Sequence, residues 1–102
     1  MIQSVSIKVT DKTGLNEREV NIMQAALLNV IAMTDTLLVG TEGGEGSALN
    51  PLEDDKLLGI TLVYQKAIKD ELAEKLKGVL ERKLNGFFKM GQVDMEVEIE
   101  LF

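Results

Sequence analysis

Apolar and polar residues alternate at both ends of this chain and recur at helical spacing between them. Near the start, Val5, Ile7 and Val9 alternate with Ser4, Ser6, Lys8 and Thr10, a period of two that predicts a half-buried strand. At the other end, from Val93 to Phe102, Val93, Met95, Val97, Ile99 and Leu101 alternate with Asp94, Glu96, Glu98 and Glu100. No other segment alternates so regularly. This last strand is expected to have one apolar and one acidic face.

After the first strand, Asp11, Lys12, Thr13 and Gly14 break the alternation with turn-forming residues. Asn16 is placed to cap a helix, with Glu19 three residues later as in a capping box and Leu15 and Val20 at the staple positions. The pattern predicts a helix from about Glu17 to Val39. Its apolar residues, from Val20 and Ile22 to Leu37 and Leu38, spread over more than half of its circumference. A helix on one sheet needs an apolar arc of roughly 100° or somewhat more, so a second helix, a long loop or another subunit must cover the surplus. Self-association through Ile22, Met23, Ala26, Val30, Met33 and Leu37 is the expectation that follows.

A glycine-rich stretch over 40–50, including Gly43, Gly44, Glu45 and Gly46, predicts a flexible loop, with Gly40 as a left-handed helix cap. Asn50 and Pro51, followed by Glu53, Asp54 and Asp55, resemble a capped helix start. The run from Leu57 to Tyr64 is rich in β-branched and aromatic residues and nearly free of polar interruption, as in a central strand. Helical spacing of Leu57, Ile60, Tyr64 and Ile68 leaves open a helix continuing from Pro51. From Lys66 to Leu84, Ile68, Leu72, Leu76, Val79, Leu80 and Leu84 share one face, predicting a second long helix that Asn85 and Gly86 stop, with Phe87 and Phe88 pinning its exit.

Together these elements predict an α/β or α+β domain: a compact two-layer β-α-β-α-β arrangement with two long helices on one face of a small three-stranded sheet. Right-handed crossovers would make that sheet largely parallel. Parallel sheets are normally covered on both faces, whereas the two terminal strands present polar or acidic faces. The sheet is therefore mixed, or the middle segment is helical, or a basic partner covers the acidic face.

With 102 residues, 45% apolar and 27% charged, the chain has the composition of one globular domain spanning 1–102. It has no cysteine, which excludes disulfides and thiolate metal sites and fits a cytoplasmic location. The N-terminus lacks the basic and apolar runs of a targeting signal. The uncharged segment over 20–34 holds Asn21, Gln24 and Asn29 and falls short of the ~20 apolar residues of a membrane span. A net charge of −6 opposes direct binding to nucleic acid.

Candidate chemistry is sparse. The glycine loop lacks the spacing and the lysine of a phosphate-binding loop, and Glu42 and Glu45 would repel an anion. The chain has no histidine, and its serines have no evident base, so no catalytic residue is assigned and the protein is read as non-enzymatic. A hydrolase built on Glu53 and Asp55 is a distant third possibility. No cofactor is implied, and the acidic clusters lack a cation-loop pattern, so no metal site is assigned. Met23, Met33 and Met95 lie where core residues belong.

Two functional expectations remain. The first is a protein–protein interaction module or subunit that self-associates through its first helix. The second is an acidic inhibitor or nucleic-acid mimic, of the kind a phage encodes, that binds a basic protein. It would use Asp94, Glu96, Glu98 and Glu100, which project from one strand face at roughly 6.6–6.8 Å intervals.

Overall fold

A computed structural model describes residues 1–40, 46–49 and 56–102, the stretch 46–49 through its backbone. The element order is β1 (Ile2–Asp11), α1 (Glu17–Leu38), β2 (Gly46–Leu49), β3 (Lys56–Ile68), α2 (Asp70–Gly91) and β4 (Met95–Leu101). The strands form one sheet in the order β2-β3-β1-β4, and every neighbouring pair is antiparallel. This is the α+β two-layer arrangement expected from the periodicities, with β2 added at one edge.

The expectation of a largely parallel sheet is corrected. Because β1 and β2 are both antiparallel to β3, they run parallel to each other, joined through α1 with β3 between them. In the same way β3 and β4 are joined through α2 with β1 between them. Each helix thus makes a parallel crossover that skips one strand, and the two units interleave into an all-antiparallel sheet, the split-βαβ or ferredoxin-like topology. Antiparallel sheets can leave one face in water. The conflict between a parallel sheet and polar strand faces disappears.

Helices α1 and α2 cover the other face. Val5, Ile7 and Val9 of β1 are fully buried there, in register with Leu62, Ile60 and Leu58 of β3 and with Leu101, Ile99 and Val97 of β4. Leu27 and Ile31 of α1 and Ala73, Leu76, Leu80, Leu84 and Phe88 of α2 close the same core.

Boundaries differ from those the sequence predicts at both ends of α2 and at the last strand, which is Met95–Leu101 where Val93 to Phe102 is expected. The segment over 57–64 is strand, as its composition favours, but the strand continues to Ile68, which pairs with Ile2 and is buried. α2 therefore starts at Asp70 instead of Lys66, with Asp70 and Glu71 in its first turn against the helix dipole. Asn85 and Gly86 do not stop it: Phe88 extends the buried row of Leu76, Leu80 and Leu84 by one more step of four, and the helix runs to Gly91. Gln92, in the left-handed conformation at φ 56°, makes the cap. Phe87 and Phe88 are helical residues, not an exit segment.

The flexible loop expected over 40–50 is corrected in part, since Gly46–Leu49 is strand β2, paired with Ile60–Val63 of β3. Gly43, Gly44 and Glu45, and the helix start expected at Pro51, lie outside the described residues.

Candidate functional site

α1 is positioned by the capping box read from its sequence. The Asn16 side chain accepts the Glu19 amide at 2.9 Å, and the Glu19 carboxylate accepts the Asn16 amide at 3.2 Å. The helix is pinned from beneath by polar contacts as well as by Leu27 and Ile31. The Gln24 amide donates to the Leu57 carbonyl at 2.7 Å. Near the other end, the Tyr64 hydroxyl donates to Asp35 Oδ1 at 2.6 Å, between two side chains that are both buried. Burial, the hydrogen bond and the carboxylate charge all push the Tyr64 phenol far above its ordinary value, so it remains a donor.

Those inner contacts fix which side of α1 faces outward. Ile22 is 61% exposed, Met33 56% and Leu37 73%, whereas Met23, Ala26 and Val30 are half-buried along the flank. The six residues expected to mediate self-association therefore lie on the outer and lateral sides of the helix. Beside the C-terminal half of α1, Val30, Met33 and Leu37 form one wall of an open groove of about 470 Å³, and Phe87 and Met90 of α2 form the other, with Arg82 and Lys83 among the lining residues. Met90 is 88% exposed. Of the α2 residues of this groove, Phe87 and Met90 lie past Leu84, where the sequence predicts the helix to end; the spacing of Leu84, Phe87 and Met90 is the signal for them.

By length and composition alone, α1 is also apolar enough to cross a membrane, contrary to the sequence expectation. Its inner face here carries Gln24, Thr34 and Asp35, each hydrogen-bonded within the domain or to its own helix.

Of the predicted acidic row, the three glutamates lie on the open face of the sheet and Asp94 precedes the strand. Glu96, Glu98 and Glu100 are exposed on β4, an edge strand, and Asp94 is exposed just ahead of it. Their surroundings are not uniformly negative. Lys8 stands directly across from Glu98 in the register, and Lys12 Nζ lies 3.7 Å from Glu96 Oε2. Asp94 is tied through its backbone, its amide donating to Thr13 Oγ1 at 2.6 Å.

Among the described residues, no three acidic side chains gather closely enough to hold a metal ion. Glu53 and Asp55 lie outside those residues. Comparison with protein-family models and with curated proteins gives no match to this chain. The functional reading therefore rests on the two surfaces, the apolar outer side of α1 and the acidic edge of the sheet.

Proposed function

We propose that this chain is a non-enzymatic interaction module or subunit, working in the cytoplasm, that self-associates through the outer side of α1. One observation supports the reading: the solvent side of α1 holds Ile22, Met33 and Leu37 exposed, and Met90 of α2 lines the same groove as Met33 and Leu37. Scattered apolar residues are ordinary on a protein surface, but a strip of adjoining ones, such as Met33, Leu37 and Met90 along the groove, marks a contact surface. Such a strip can form the centre of an interface that removes about 800 Å² from each partner.

Light scattering coupled to size exclusion tests this over a concentration series. The expected result is a mass twice that of the 11.2 kDa chain. A strict monomer at the highest soluble concentration would remove the proposal's support.

Binding of a basic protein by Glu96, Glu98 and Glu100, as an inhibitor would do, is supported by the exposure of those carboxylates. It ranks second because Lys8 and Lys12 dilute the row and because an antiparallel sheet needs no covering partner.

A further inference from the structure

Resting on the reading that the chain self-associates through the outer side of α1, we infer that Met33 and Met90 form a paired oxidation site that turns this surface from apolar to polar and so weakens the association. The chain has no cysteine, so its five methionines are its only sulfurs. Their settings differ. Met33 and Met90 are exposed, and both line the groove between the helices, one from α1 and one from α2. Met23, on the flank of α1, and Met95, on the apolar side of β4, are half-buried against the core. Met1 is exposed as well, but its amino group is held by Asp70 at the start of α2, the opposite end of that helix from Met90.

Hydrogen peroxide delivers one oxygen to a thioether. The sulfur gives an electron pair to the new S–O bond, the O–O bond breaks, and the peroxide leaves as water with the sulfur two electrons more oxidised. A flexible apolar side chain becomes a polar one, and methionine sulfoxide reductases reverse the change. Where the sulfur sits decides the consequence. Buried in a core, a sulfoxide disrupts packing; at Met33 and Met90 it falls on the surface, and the core of Leu27, Ile31, Leu80 and Leu84 keeps its contacts. In the groove the effect is local. The thioethers that suit them to an adaptable apolar contact are lost. Arg82 and Lys83 line the same groove, which has no carboxylate among its lining residues, so their N–H groups can donate to the sulfoxide oxygens. In the associated form these sulfurs are covered, so peroxide acts on the separated chain and draws the equilibrium toward it.

Titration with hydrogen peroxide, read by peptide mass mapping and by sedimentation, tests the inference. Met33 and Met90 should gain oxygen about fivefold or more faster than Met23 and Met95. Protein oxidised at those two positions should keep its thermal midpoint, show a dissociation constant raised about tenfold or more, and recover on treatment with methionine sulfoxide reductases. Met33→Leu with Met90→Leu keeps the surface apolar at nearly the same volume, and should associate as wild type does both before and after peroxide. Equal rates at the four methionines, an oxidised wild type that associates unchanged, or a leucine variant that dissociates on oxidation overturns the oxidation site while leaving self-association standing. A wild-type monomer before any peroxide overturns the reading of α1 and the inference with it.

Discussion

The carboxylate of Asp11 accepts the backbone amides of Thr13, Gly14 and Leu15, at 2.8, 3.1 and 2.7 Å, and so shapes the turn that delivers the chain from β1 to the Asn16 cap. Partial burial pushes this carboxyl up, but the three amides together outweigh it and hold it below the ordinary aspartate value. A lowered folded-state value means that the stabilisation is fully present above about pH 4 and fades as the pH falls through the folded value. Asp11→Ala should therefore cost about 1–2 kcal/mol at neutral pH, with the gap to wild type closing in acid, as urea titrations at pH 7 and pH 3 would read. Tyr64→Phe removes a buried bond to a carboxylate and should cost about 1.5–3 kcal/mol in the same assay, a loss that overlap with mere surface variants would contradict. The turn at Asp11 was legible, because a short acidic side chain before Thr13 and Gly14 has few other uses. The bond between Asp35 and Tyr64 was not, since the two residues lie 29 positions apart and nothing local marks them as partners.

At the scale of the elements, β1, α1 and β4 were legible because each carries its signal within a few neighbouring residues: strict alternation for the strands, Asn16 and Glu19 for the helix. The limits of α2 were not, because tertiary packing overrides local preference at both ends. Ile68 fits a helical stripe on paper, yet pairs with Ile2 in the sheet. Asn85 and Gly86 read as a stop, yet Phe88 is drawn into the core one turn further on. A side chain at Gly78 or Gly86 would meet no heavy atom within 4 Å, so neither glycine is needed for space or for a special backbone conformation. Gly78→Ala and Gly86→Ala should each raise stability by about 0.5–1 kcal/mol, seen as a higher thermal midpoint. A fall in the midpoint of the Gly86 variant would mean that α2 ends where the sequence alone places its stop. The short edge strand β2 went unread, because Gly46, Ser47, Ala48 and Leu49 hold no β-branched or aromatic residue and gain their conformation from β3.

For the whole molecule, the interleaving of two split crossovers decides which surfaces stand free. It turns a sheet that connectivity alone suggests is parallel into an antiparallel one, so the acidic face of β4 can rest in water. It also packs α1 by one side only, leaving Ile22, Met33 and Leu37 outward. The surplus of apolar residues on α1 was legible from its periodicity; that α2 contributes Phe87 and Met90 to the same surface required the true end of that helix. The central claim, association through this surface and not through the acidic row, is tested most directly by sedimentation equilibrium on three proteins side by side. Wild type and a variant with Glu96→Gln, Glu98→Gln and Glu100→Gln should sediment as dimers, whereas Met33→Glu with Leu37→Glu should sediment as a folded monomer. A wild-type monomer, or a dimer that survives the changes on α1 and dissociates with those on β4, would contradict the account.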